Sequence, residues 1–166
     1  MDKKPHSKHK HLTGEHKFGD IGQIIIFIVF AGVWITDVFV FHYSDFLVEY
    51  VPIYVRAPIA LAILFYSVYL ILASHKLIFN ENDNEPTVVR QGVYLQVRHP
   101  MYLSSLTLYL GLTLYTLSIC SAIIFIAGFI FYHQIASYEE KLLIERFGDE
   151  YRKYQSEVPM WVPWTK

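Results

Sequence analysis

The sequence contains a single cysteine, Cys120, among its 166 residues. One thiol excludes an intramolecular disulfide and a zinc site built from cysteines. Positive charge is not in excess either, because 14 Lys and Arg residues face 15 Asp and Glu residues, for a net charge of -1. Nucleic-acid-binding domains usually carry a basic surface, so this balance gives no indication of a nucleic-acid partner. We expect neither nucleic acid nor a bound metal.

Apolar residues are abundant instead, at 54% of the chain against 17% charged residues. Both values are unusual for a soluble domain. Four apolar runs are each about 17–22 residues long, which is the length a helix needs to cross roughly 30 Å of hydrocarbon. They lie at about 21–41, 53–73, 101–117 and 119–138. We therefore predict an all-α, multi-span membrane helical bundle with four transmembrane helices.

The distribution of Lys and Arg predicts the orientation of these helices. Basic residues precede the first run, separate the second from the third, and follow the fourth, whereas the loop 42–52 has none. The positive-inside rule then places both termini in the cytoplasm. We predict that residues 1–20 form a disordered, basic, His-rich tail and that residues 21–166 form one membrane domain.

Two charged residues lie within the apolar runs, each near the predicted outer end of its helix. Asp37 belongs to the first run and Arg56 to the second. Because an unpaired charge in lipid is costly, we expect an ion pair between them across the hairpin. A polar pathway through the membrane is the alternative.

The connection between the third and fourth runs, around Ser118, is very short, so we expect an antiparallel hairpin. The start of one helix and the end of the other then lie at the same depth, on the cytoplasmic side. The polar groups that the hairpin brings to that level are Arg98, His99, Pro100, Tyr102, Glu139 and Glu140.

These groups suit a ligand that carries both a carboxylate and an amine. Pro100 fits the first turn of a helix, where the unpaired N–H groups carry the positive end of the helix dipole. An anion can bind there, and Arg98 strengthens the positive field. Glu139 and Glu140 supply negative charge for an ammonium group.

The C-terminal segment 139–166 continues as a helix with an apolar and aromatic stripe. Leu143, Phe147, Tyr151 and Tyr154 recur at helical spacing, and Gly148 predicts a stop or bend. Two interpretations are compatible with this pattern. The segment is an amphipathic helix lying at the membrane interface, or it is a lid folded over the charged groups.

Two stretches resemble a known family: GVYLQVRHPMYLSS, and EEKLLIERFGDEYRKYQSEVPMWVP after the apolar hairpin. They are similar to the isoprenylcysteine carboxyl methyltransferase family, which groups with the membrane phospholipid methyltransferases. The resemblance covers roughly Gly92 to Pro163. It implies a multi-helix integral membrane enzyme that uses S-adenosylmethionine and acts on a lipophilic substrate arriving from the bilayer.

The resemblance also implies site residues. Arg98, His99 and Glu140 are the expected catalytic residues. The residues expected to bind the cofactor are Tyr94, His99, Pro100, Tyr102, Glu139 and Glu140. Methyl transfer is a direct displacement, so we expect these residues to act mainly by positioning and by excluding water.

The acceptor of the methyl group stays open at this point. Met160 and Trp161 stand where the family commonly has an arginine that could hold a substrate carboxylate. Two other functions are also open: a membrane reductase of the sterol type, and a non-enzymatic small transporter or structural subunit. His133, about two turns before Glu140, either lines the pocket or hydrogen-bonds to a neighbouring helix.

Overall fold

The computed structural model describes residues 17–80 and 87–163, and every regular element in these two ranges is helical. Five α-helices follow one another: α1 (Lys17–Ile35), α2 (Ile53–Asn80), α3 (Pro100–Thr116), α4 (Ile119–Phe147) and α5 (Asp149–Glu157). A π-helical turn extends α1, and two short 3-10 turns precede α2 and α3: Thr36–Phe41, Phe46–Glu49 and Gly92–Leu95. The predicted all-α class is confirmed.

The protein is an integral membrane protein. Three helical stretches are long and apolar enough to cross a membrane: Ile21–Phe41, Ile53–Leu77 and Ile119–Phe147. Their outward faces are apolar, with Phe65 and Leu72 exposed at 73% and 65%. The predicted third span corresponds to α3, which has 17 residues and is buried along much of its length. Residues 1–16 of the predicted tail lie outside the described residues, and α1 begins within the remainder, at Lys17.

Small residues let α2 and α3 approach closely. The buried positions at this contact include Ala60, Ser67, Ser104 and Gly111. The Ser67 hydroxyl donates a hydrogen bond of 2.7 Å to the carbonyl oxygen of Ser104. A Cβ atom at Gly111 would lie 2.8 Å from the side chain of Leu64, so this position requires glycine. Close backbone approach is a common way for helices to pack in lipid, where burial of apolar surface gives little driving force.

A second contact joins α1, α3 and α4 through buried aromatic rings. The Phe30 ring stacks on the Tyr109 ring, with 4.4 Å between the centroids. The Tyr109 hydroxyl lies 3.4 Å from that of Tyr132, and both side chains are almost fully buried. These pairs fix α3 between its neighbours, which positions the start of α3 against the end of α4.

The connection between α3 and α4 consists of Leu117 and Ser118. Leu117 adopts a left-handed conformation with φ of 51°, which reverses the chain at once. The Ser118 hydroxyl caps α4 by accepting a hydrogen bond of 3.0 Å from the Ser121 N–H. The predicted tight hairpin is confirmed.

The predicted ion pair between Asp37 and Arg56 is wrong. The buried Asp37 carboxylate accepts hydrogen bonds from the N–H and hydroxyl of Ser44, at 3.0 and 2.6 Å, and from the Ser118 hydroxyl. Arg56 instead donates to the Tyr115 carbonyl oxygen at 2.6 Å, and its guanidinium lies 5.8 Å from the Tyr115 ring. Neutral donors therefore hold the carboxylate, and the cation has one hydrogen bond to a carbonyl at the end of α3, while its buried Nε has no hydrogen-bond partner.

Replacing Gly111 by alanine tests the close contact of α2 and α3. We expect Gly111→Ala to destabilise the protein by about 1–3 kcal/mol, because the new methyl group overlaps Leu64. Thermal unfolding in detergent measures this as a lower Tm. Gly32→Ala is the matched control, since a Cβ atom there has nothing within 4 Å. Equal Tm values for the two variants would contradict the packing described.

Candidate functional site

Glu140, near the end of α4, is the centre of a buried polar network. Its carboxylate accepts hydrogen bonds from Arg98 Nε at 2.5 Å and Arg98 Nη2 at 3.3 Å. The same carboxylate accepts from His99 Nε2 at 3.1 Å and from Gln155 Nε2 at 2.7 Å. Glu140 is only 6% exposed, so four donors hold one carboxylate inside the protein. A buried charge needs such pairing, because desolvation otherwise outweighs the electrostatic gain.

Arg98 connects this carboxylate to the C-terminal segment. Its Nη1 group donates to the carbonyl oxygens of Gln155 at 3.2 Å and Val158 at 2.5 Å. Its backbone N–H donates to the Pro159 carbonyl oxygen at 3.0 Å. Together with the bonds to Glu140, these contacts use most of the five N–H groups that a guanidinium has. Arg98 therefore joins the start of α3, the end of α4 and the chain after α5.

His99 and Glu139 form the second half of the network. The Tyr102 hydroxyl donates a hydrogen bond to Glu139 Oε1. The His99 ring stacks on the Tyr102 ring with 5.7 Å between centroids, and the Trp161 ring lies 6.1 Å away. His99 Nδ1 lies 3.9 Å from Glu139 Oε2, so the ring stands between two carboxylates.

The local sequence explains how α3 begins at this place. Pro100 is the first helical residue, and His99 is the N-cap with φ of -122°. Proline suits the first turn because its missing N–H would have no helical partner there. The bend before it places Arg98 and His99 against the end of α4, where Glu139 and Glu140 lie.

The short helix α5 packs beneath this network through two buried tyrosines. Gly148, with φ of 58°, separates α4 from α5, as the sequence predicts. Burial raises the pKa of the Tyr151 phenol, and the negative charge of Glu140 raises it further, so this phenol stays protonated. Burial likewise raises the pKa of Tyr154, whose hydroxyl donates to the Tyr94 carbonyl oxygen at 2.6 Å.

The chain after α5 folds over the polar network, as the lid interpretation predicts. The predicted apolar stripe is buried here, where Tyr151 and Tyr154 pack with Leu143 and Phe147. The carbonyl groups of Gln155 near the end of α5, and of Val158 and Pro159 beyond it, accept hydrogen bonds from Arg98. This covering leaves the network buried, even though it lies at the ends of the helices.

The structure brings most of the predicted site residues into one network. Direct hydrogen bonds or ring contacts join Arg98, His99, Tyr102, Glu139 and Glu140. Pro100 contributes by starting α3, and Tyr94 lies on the 3-10 turn held by Tyr154. The predicted meeting of the two polar clusters is confirmed, whereas the assignment of catalytic and cofactor-binding roles stays a prediction.

Sequence reasoning missed the contributions of Gln155, Val158 and Trp161. Trp161 donates its indole N–H to His133 Nδ1 at 3.1 Å, and its ring lies 5.8 Å from the Phe129 ring. His133 thus bonds to the C-terminal segment and not to a neighbouring helix. No spacing rule identifies these partners, because carbonyl groups have no sequence signature. The one sequence feature that could have indicated these contacts is the stretch VPMWVP after α5, with its tryptophan and prolines.

A concavity of about 370 Å³ lies at the other end of α3, far from the network. It is lined by Val33, Thr36, Asp37, Phe41, Tyr43 and Cys120. The carboxylate of Asp37 is the one ionic group on this lining, and three hydrogen bonds from Ser44 and Ser118 already hold it. The polar groups at this end of the molecule therefore hold its segments together.

A family model described as phospholipid methyltransferase matches residues 57–150, more than half of the chain. The chain belongs to the phospholipid methyltransferase family. The matched residues run from α2 to the start of α5 and include Arg98, His99, Glu139 and Glu140. The family resemblance of the RHP-x-Y and EE stretches is thereby confirmed.

Relatives within this family carry two kinds of name. The protein-S-isoprenylcysteine O-methyltransferase of Schizosaccharomyces pombe is 28% identical over 88 residues, which cover 52% of this chain and 37% of the relative. The Homo sapiens protein of that name is 32% identical over 88 residues, covering 52% and 31%. Methanethiol S-methyltransferase 1 of Bradyrhizobium diazoefficiens is 35% identical over 75 residues, covering 45% and 25%. The chain thus spans about a third or less of the length of these relatives.

Replacing Arg98 by lysine tests the role of the guanidinium. We expect Arg98→Lys to cost about 1–3 kcal/mol, because one ammonium cannot reach Glu140 and the Gln155 and Val158 carbonyl groups together. Limited proteolysis should then cut the chain within 155–163 faster than in the wild type. Arg90→Lys is the control, since its partner Glu157 is 49% exposed and the pair is worth less than about 1 kcal/mol. Equal protection of both variants would contradict a role in holding the C-terminal segment.

Proposed function

We propose that this protein is an S-adenosylmethionine-dependent methyltransferase that acts on a lipophilic acceptor at the cytoplasmic face of a membrane. The observation that carries the proposal is the buried network of His99, Glu139 and Glu140, formed by the residues that resemble the family's site. Membership in the phospholipid methyltransferase family supports the same reaction. The names of the relatives suggest either a prenylcysteine carboxylate or a thiol as acceptor.

The proposal includes the orientation of the chain and a fourth membrane crossing. With 17 residues at 1.5 Å each, α3 is about 25 Å long, close to the thickness of the hydrocarbon layer. A crossing by α3 puts the polar network on the side that carries the basic loop and C-terminal segment. The positive-inside rule makes that side the cytoplasm, together with both termini.

The chemistry of the network fits S-adenosylmethionine. This cofactor carries a carboxylate, an ammonium group and a positively charged sulfonium. The Glu139 carboxylate and the ring faces of His99, Tyr102 and Trp161 suit the two positive groups. The N–H groups at the start of α3 suit the carboxylate, since they carry the positive end of the helix dipole. Pro100 begins that turn, and Tyr94 precedes it.

When bound, the cofactor supplies a methyl group attached to a positively charged sulfur. The protein's contribution is to hold the acceptor in line with that methyl group and to keep water out. Residues 155–161 cover the network and serve the second purpose. The exposed apolar face of α4 lies in the bilayer and lets a lipophilic acceptor approach sideways.

Within this proposal Glu140 is a positioning residue more than a direct cofactor contact. Two guanidinium donors, one imidazole donor and one amide donor already occupy its two oxygens. It fixes His99 and Arg98 in place. Glu139, on the next position of the helix, faces His99 and Tyr102 and is the carboxylate best placed for the cofactor.

Calorimetry with S-adenosylmethionine on protein in a lipid-like detergent tests the proposal. We expect binding by the wild type, and a Kd about 10–100-fold higher for Glu139→Gln, because a charge-assisted contact of about 1.5–3 kcal/mol is lost. Glu145→Gln is the matched control, since Glu145 is exposed on the same helix, and its Kd should equal that of the wild type.

The same measurement separates the proposal from its alternatives. Binding of NADPH without binding of S-adenosylmethionine would favour a membrane reductase. Absence of binding for both cofactors would favour a non-enzymatic membrane protein and would overturn the methyltransferase proposal.

A further inference from the structure

Resting on the proposed function, we infer that His99 is the general base of the transfer. The acceptor is then a lipophilic nucleophile that carries a proton, a thiol or an amine, and not a carboxylate. Three features of the structure support this role: the hydrogen bond between His99 and Glu140, the partners of the arginines, and the apolar surface beside His99.

The contacts of Glu140 determine which nitrogen of His99 carries the proton. Glu140 accepts two hydrogen bonds from the Arg98 guanidinium, so its carboxylate is ionised and can only accept. The 3.1 Å contact with His99 Nε2 must therefore be a donation from the imidazole. A neutral His99 consequently has its proton on Nε2 and a bare lone pair on Nδ1. This is the arrangement of a base whose tautomer is fixed by a carboxylate.

Charged groups stand on both sides of the His99 ring. Glu139 Oε2 lies 3.9 Å from Nδ1, so an imidazolium would stand between two carboxylates. Arg98 pairs with Glu140, and Glu139 Oε2 faces Nδ1. Tyr102 on α3 is the other titratable group against the ring, and Tyr151 on α5 faces Glu140 as a neutral phenol.

The arginines near the network are all engaged with the protein itself. Arg98 donates to Glu140 and to two carbonyl groups. Within residues 87–163, each of the remaining arginines also has a protein partner: Arg90 with Glu157, Arg146 with Phe147, and Arg152 with Asp149. A carboxylate acceptor would compete with these partners for a guanidinium, whereas a thiol or an amine needs no cation to hold it.

An apolar surface leads from the bilayer to His99. Ile126, Phe129 and Ile130 lie on the exposed face of α4, at 56%, 41% and 53% exposure. The Trp161 ring touches Phe129 on this face, with the centroids 5.8 Å apart, and lies 6.1 Å from the His99 ring. A hydrocarbon chain lying along these side chains would bring its polar end to the Trp161 ring, next to His99.

The step balances without a further reactant. His99 Nδ1 takes the proton from the sulfur or nitrogen of the acceptor. The lone pair of that atom forms the new bond to the methyl carbon, while the bond from the methyl carbon to the sulfonium sulfur breaks and its electrons stay on that sulfur. The positive charge thereby moves from the sulfonium to the imidazolium. His99 then releases the proton to water.

Three acceptors of matched chain length test the acceptor class on the wild type: N-dodecanoylcysteine methyl ester as the thiol, dodecylamine as the amine, and S-dodecyl-N-acetylcysteine as the carboxylate. We expect kcat/KM with the thiol or the amine to exceed that with the carboxylate by at least tenfold. A faster carboxylate, or transfer to none of the three while S-adenosylmethionine still binds, would overturn the inference. Loss of cofactor binding itself is a separate result, which counts against the proposed function.

His99→Gln tests the base, because glutamine keeps a donor for Glu140 and has no basic nitrogen. At saturating cofactor and pH 6, we expect kcat with the thiol to fall on the order of 100-fold or more. The loss should shrink below about tenfold at pH 10, where a thiol with a pKa of about 8.5 is already ionised. A loss of equal size at every pH would indicate a structural role and would overturn the inference.

His42→Asn is the control for this experiment. His42 lies near the other end of α3, and its φ of 49° is a conformation that asparagine tolerates. Its pH profile should follow the wild type. If His99→Gln does not fold, the acceptor panel on the wild type still decides the inference.

Discussion

The buried pair of Arg98 and Glu140 is the interaction on which the rest of the polar network depends. It joins residues 42 positions apart, and its two side chains are only 10% and 8% exposed. Through Arg98 it also fixes the carbonyl groups of the segment after α5, and through Glu140 it fixes the ring of His99. Removing either charge would leave the other buried without its oppositely charged partner, which is why such pairs break at high cost.

Two ends of the bundle satisfy buried charge by different means. Near the α3–α4 connection, serine hydroxyls and a backbone N–H surround Asp37, and no cation takes part. At the start of α3, a guanidinium, an imidazole and two carboxylates stand together. The first arrangement only holds helices together. The second contains groups that can bind charged ligands, which is why the proposed function places the chemistry there.

Much of the fold could be predicted from the sequence, because long apolar runs indicate helices that lie in lipid. The two-residue reversal at Leu117 and Ser118 even allowed the meeting of Arg98–His99 with Glu139–Glu140 to be foreseen. The pairing of Asp37 was not foreseen, because charge alone suggested Arg56, whereas three local donors are nearer. The hydrogen bonds from Arg98 to carbonyl groups of Gln155 and Val158 could not be foreseen either, since backbone oxygens are the same for every residue.

The dependence of Arg98 on residues 155–159 has a consequence for biosynthesis. These residues are synthesised after α1–α4, so Arg98 has no carbonyl partners until the C-terminal segment is made. Until then the guanidinium and the imidazole lack the cover that this segment provides. Completion of the C-terminal segment is thus the event that encloses the polar network.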